Sequence, residues 1–106
     1  MPKYLAQCNY VGEGIKGLLK EGGSSRRAIV EKLVKSLGGT VEAFYYAFGE
    51  TDLYVIADVP DNVSMATIAL TVNATGTVTV KTTVLLTPEE VDEAAKKSPS
   101  YRPPGQ

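Results

Sequence analysis

Val41 to Asp61 reads VEAFYYAFGETDLYVIADVPD. Two apolar runs, rich in aromatic and β-branched residues, flank Gly49-Glu50-Thr51-Asp52, and Pro60 closes the second run. That pattern predicts a β-hairpin. Gly49 has no Cβ to clash at positive φ, and Asp52 can accept from neighbouring backbone N–H groups, so the chain reverses here. Pairing about the midpoint of the break sets Phe48 against Leu53, Tyr46 against Val55 and Phe44 against Ala57. The opposite face then carries Ala43, Tyr45 and Ala47 against Asp58, Ile56 and Tyr54. Neither face is polar, and a sheet that is oily on both sides must be covered on both.

Upstream of the hairpin, Lys3 to Tyr10 (KYLAQCNY) has the character of a first strand, bounded by Val11-Gly12. Gly12 to Glu21 is helical, with Ile15, Leu18 and Leu19 on one side and Lys16 and Lys20 on the other. Gly22-Gly23 interrupts. Ser24 or Ser25 is then the expected N-cap of a helix running to about Leu37, whose apolar stripe is Ile29, Leu33 and Leu37. Gly38-Gly39 ends it.

Downstream, Asp61 is the expected N-cap of an apolar helix that stops at Asn73-Ala74-Thr75-Gly76. Thr77 to Leu86 alternates Val78, Val80, Thr82, Val84 and Leu86 with Thr77, Thr79, Lys81 and Thr83, the period of a strand. Thr87-Pro88-Glu89-Glu90 is a capping box with proline at the first helical position, so a short last helix runs to about Lys97. Residues 98–106 form an irregular tail, and residues 1–97 a single domain. The order β-α-β-β-α-β interleaves two right-handed β-α-β units. It predicts an α+β, ferredoxin-like fold: a four-stranded antiparallel sheet with the first and third strands central, helices on one face, and an extra C-terminal helix. The uncovered oily face predicts a homodimer, or a higher homo-oligomer, built sheet to sheet.

Composition narrows the chemistry. A formal net charge of -1 with 43% hydrophobic residues fits a globular chain and gives no basic surface for nucleic acid. No run approaches the roughly 20 apolar residues of a spanning helix, so no membrane association is expected. Met1-Pro2-Lys3-Tyr4 is not a basic-then-apolar leader, and the single cysteine, Cys8, has no partner for an intrachain disulfide; both fit a cytoplasmic protein. The chain has no histidine, which removes His-based triads and His metal ligands. No metal and no cofactor is expected.

The residues Gly49 to Asp58 followed by Pro60-Asp61, with Gly22-Gly23-Ser24-Ser25-Arg26-Arg27 and Ser36-Leu37-Gly38-Gly39 upstream, resemble the GYD-domain proteins. These are small bacterial proteins of largely unassigned function, related to the dimeric α/β-barrel superfamily. The likeness spans roughly Pro2 to Ala94. Gly49 and Asp52 match the family's naming residues, while Thr51 stands where its tyrosine is expected. The resemblance implies a ferredoxin-like fold, a homodimer of apposed sheets, and a pocket between sheet and helices; it implies no catalytic residue.

The candidate site residues each carry two readings. Arg26 and Arg27, at a helix start behind Gly22-Gly23, could hold an anion; a helix cap with two solvated arginines explains the same residues and is favoured. Asn9, Tyr10, Tyr46 and Tyr54, with Tyr45, could line a pocket for a flat organic molecule, although strand tyrosines are ordinarily core or interface residues. Asp52 is a binding candidate and a turn former. Asp58, in an apolar strand, is a candidate general base alongside Tyr54; an ion pair with Lys3, Lys81 or an arginine, or simple exposure, is the favoured reading of it. Cys8 reads as a small core residue. Three functions are open on these residues: a homodimeric small-molecule-binding module, a cofactor-independent enzyme of isomerase or oxygenase type, and a purely structural assembly protein. The missing histidine favours the first over the second.

Overall fold

The computed structural model describes residues 1–106. Strand β1 (Lys3–Tyr10) leads into α1 (Glu13–Glu21) and α2 (Gly23–Ser36), followed by β2 (Thr40–Tyr46) and β3 (Leu53–Asp58). Helix α3 (Asn62–Ala74), β4 (Val78–Leu85) and α4 (Pro88–Lys97) complete the chain. The sheet is antiparallel throughout, in the order β2-β3-β1-β4. That is the ferredoxin-like arrangement the element order predicts, with β1 and β3 central.

The central strands supply most of the core because alternate residues along a strand share one face. Tyr4, Ala6, Cys8 and Tyr10 of β1, and Leu53, Val55 and Ala57 of β3, are all buried under the helices. Val59, just past β3, is fully enclosed. Val34 of α2 and Met65 and Ile68 of α3 close on them. Asp61 caps α3 by accepting from the Ser64 N–H at 2.8 Å.

Three local expectations change. The hairpin pairs two residues out of the predicted register: Tyr46 faces Leu53, Tyr45 faces Tyr54 and Phe44 faces Val55. Residues 47–52 form a longer loop because Asp52 bonds to β1 rather than closing a tight turn: its N–H donates to the Cys8 carbonyl at 3.0 Å. A slip of two keeps every side chain on its predicted face, but it takes Phe48 out of the ladder and into solvent. A bulge at Glu42 absorbs the remaining offset. The second correction concerns α2. Its N-cap is Gly22, at φ 87°, and Ser24 and Ser25 lie inside the helix. Because α1 runs directly into the same glycine, no room is left for a serine cap.

The third change is in the open face. Its apolar residues are Ala43, Tyr45, Tyr54 and Ile56 of β2 and β3, with Leu5 of β1 and Leu85 at the end of β4, whereas Gln7, Asn9, Thr79, Lys81 and Thr83 make the rest of β1 and β4 polar. Only part of that face is oily. Beyond β4 the chain leaves the body: every residue of α4 is exposed, as is the tail. The radius of gyration is 16.9 Å, against about 13 Å for a compact chain of this length.

Candidate functional site

One set of polar side chains converges at the end of the sheet where β1 stops, away from the Lys3–Glu42–Asp58 cluster at its start. Asp52 fastens the β2–β3 loop there. Its carboxylate accepts from the Tyr10 N–H at 3.0 Å, and its own N–H donates to Asn9 Oδ1, also at 3.0 Å. The Ala47 N–H donates to the Asp52 carbonyl at 2.8 Å, which closes the loop on itself. Tyr46, the last residue of β2, reaches across to the α1–α2 junction, and its hydroxyl donates to the Gly23 carbonyl at 3.0 Å. Gly23 is required by that contact: a Cβ there would lie 2.9 Å from the Tyr46 ring. The ring is fixed from the other side by Phe44, edge to face at 5.4 Å.

Between α1 and this loop lies a groove of about 450 Å³, within the range of small-molecule sites. Ile15, Leu18 and Leu19 form one wall, Tyr46, Ala47 and Phe48 the other, with Tyr10 and Asp52 at the base. Burial pushes the Tyr10 phenol up to about 12; the Tyr46 hydroxyl adds to that, and the Arg26 guanidinium opposes it. Tyr10 is therefore a neutral hydrogen-bond donor near pH 7, with a cation and a second hydroxyl close by. Arg26 is held by Glu21 at 3.3 Å.

This phenol has a measurable signature. The folded chain keeps a proton that an ordinary tyrosine releases near pH 10. The resulting stability is complete below pH 10 and is lost as pH rises from there to about 12. A titration of tyrosinate absorbance is expected to show a late step near pH 12 that Tyr10→Phe removes.

The interior expected to hold a ligand between sheet and helices is smaller. A void of about 60 Å³ lies there, lined only by apolar and aromatic residues, with Tyr10 forming part of its wall as well as the base of the groove. Cys8 borders this void, and burial pushes its thiol up to about 11, leaving it inert at neutral pH.

Of the residues singled out in the sequence, Asn9, Tyr10, Tyr46, Asp52 and Arg26 are gathered at this end of the sheet. Arg27 is not. It lies beyond Tyr46, 3.9 Å from Glu31, beside a shallow depression with Phe44. Tyr54 and Asp58 lie on the open face of β3 and are not part of the groove's lining. Asp58 is 3.0 Å from Lys3, the ion-pair reading of that residue. Glu42 first and Asp58 second raise the Lys3 ammonium above its ordinary value. At the α2 start, the carbonyl end of α1 abuts the amide end of α2, which offsets the dipole an anion would use. No group of three or more Cys, Asp or Glu side chains is placed to hold a metal ion. Sequence reading misses Phe48 as a groove wall. Local pattern places it in a strand, and only the longer loop turns it outward.

No helix is long and apolar enough to cross a membrane. Sheet order and helix placement together define an α+β protein of ferredoxin-like plan, carrying a phenol-floored groove at one end of its sheet. A family model, the GYD domain, matches residues 4–95, and the chain belongs to the GYD-domain family. No curated protein and no solved structure matches it.

Proposed function

We propose that this GYD-domain protein is a homodimeric small-molecule-binding module of the reducing cytoplasm, and that its ligand occupies the groove above Tyr10. The observation that carries this reading is a mainly apolar groove of about 450 Å³ with the Tyr10 phenol in its lining, Arg26 lying outside the lining but near enough to Tyr10 to oppose the rise of its pKa. The apolar walls suit a flat hydrocarbon or aromatic body. The phenol and the guanidinium suit a carbonyl, carboxylate or sulfonate at its end. The oily β2–β3 half of the open face, where Tyr45 is 72% exposed, supports association with a second copy through the sheet. The two carboxyl or phenol groups considered for catalysis lie elsewhere: Asp58 is engaged by Lys3, and Tyr54 is on the outer face. Binding without bond-making is therefore the better account.

The test uses anilinonaphthalene sulfonate, an aromatic body with one anionic group, as a probe. Wild-type protein is expected to bind it with enhanced fluorescence. Arg26→Gln is expected to weaken binding by about 10- to 100-fold, the worth of one charge-assisted hydrogen bond. Leu19→Asp, which puts a charge on the groove wall, is expected to abolish binding. Undiminished binding in both variants would remove the ligand from this groove.

A further inference from the structure

Helix α4 is built as a stable helix yet buries none of its residues against its own chain. Thr87 and Glu90 form a complete capping box, Pro88 occupies the first turn, and Ser98 closes the end in a left-handed conformation. Acidic residues Glu89 and Glu90 sit at its start and basic Lys96 and Lys97 at its end, matched to the helix dipole. At 10 residues it is nevertheless shorter than the roughly 12–15 at which isolated helices become even marginally stable in water. Such a helix persists through tertiary packing, and no residue of α4 is buried. At helical spacing, Val91, Ala94 and Ala95 form a narrow stripe of small apolar side chains with no partner.

From these observations we infer that α4, with the tail beyond it, is an exchange arm that docks its Val91–Ala94–Ala95 stripe on a second copy of this chain. The inference rests on the dimer proposed above and names a segment that completes it. Area supports it. Strands of eight, seven, six and eight residues, at about 3.3 Å per residue and about 4.8 Å apart, make a face on the order of 450 Å² in outline. Only part of that face is oily, and a stable interface takes about 800 Å² from each partner. The sheet alone falls short; residues 86–106, exposed almost throughout, supply the difference. The arm also grows out of β4, a strand of the same open face, so it starts at the rim of the proposed contact. Charge agrees at the sheet itself: Glu89, Glu90, Asp92 and Glu93 of α4 have no cation within 4.0 Å, and Lys81, on the open face of β4, has no carboxylate.

Hydrogen exchange of the intact protein over a dilution series is the test, read beside sedimentation. Amides of Val91 to Lys97 are expected to be protected at least about 100-fold while the protein is dimeric, and to lose that protection in step with dissociation. The double variant Val91→Glu with Ala94→Glu, both at exposed positions that leave the body intact, is expected to raise the dimer dissociation constant at least about tenfold. A dimeric wild type whose dissociation constant is unchanged in the variant would overturn the arm and leave the sheet-to-sheet dimer standing. A wild type that is monomeric at all concentrations would overturn both. Protection of α4 that does not change on dilution would place its partner within its own chain and overturn the arm.

Discussion

Tyr4→Ala is expected to destabilise the protein by about 4 kcal/mol, the cost of truncating a fully buried aromatic side chain, and to lower Tm by on the order of 20 °C. Tyr4 is 2% exposed. It sits on central strand β1, opposite Ala57 of β3 on one side and Val84 of β4 on the other. Its ring lines the interior void, so truncation would enlarge a cavity the surrounding strands cannot collapse into. The hydroxyl adds a smaller contribution by donating to Asn62 Oδ1 at the first turn of α3. Tyr4→Phe keeps the ring and loses only that bond, so it is expected to cost about 1 kcal/mol. Urea or thermal denaturation of both variants, at matched protein concentration because association shifts apparent stability, separates the two contributions. Equal losses would mean that the hydrogen bond, not ring packing, anchors β1 to α3.

Gly14→Ala is the second large effect, and two opposing terms decide its sign. In a helix interior the substitution ordinarily gains up to about 1 kcal/mol in propensity. Here a Cβ would come 1.9 Å from the Thr77 carbonyl oxygen and 2.9 Å from its carbon, and backbone cannot step aside as a flexible side chain can. The overlap wins. Overpacking of this kind costs about 1–3 kcal/mol, and α1 must lift from the α3–β4 turn, to which Val11 is bonded through the same Thr77 oxygen at 3.0 Å. Because Ile15, Leu18 and Leu19 of α1 form a wall of the groove, the variant is expected to lose probe binding along with stability. Gly17→Ala in the same helix, with nothing within 4 Å of its Cβ, is the control: unchanged or slightly raised stability with binding retained. If Gly14→Ala behaved like Gly17→Ala, the close approach of α1 to Thr77 would be refuted.

The two hairpin faces are legible in the sequence because side-chain direction has period two, and a slip of two residues leaves it unaltered. The register is not legible there. It depends on Asp52 bonding to Cys8, Asn9 and Tyr10, partners more than forty positions away that local patterning does not register. The same holds for the groove. Tyr10, Tyr46 and Asp52 each have a visible chemical reason for selection, but so do Arg26, which stands beside Tyr10 outside the groove, and Arg27, which borders a separate depression with Tyr46 and Phe44. The helical spacing places successive residues about 100° apart, so which of two neighbouring arginines faces the tyrosines depends on how α2 sits on the sheet.

Local periodicity and end signals are enough to define the elements, their order and the ferredoxin-like plan. Repeats of two and 3.6 residues, a capping box and paired glycines all act within a few positions of the chain. Where the open face turns polar, which tyrosines share the groove, and that α4 is left unburied are all decided by contacts between segments far apart in the chain. A helix's own residues specify its caps and its apolar stripe; they say nothing about whether the rest of the fold comes within reach of it.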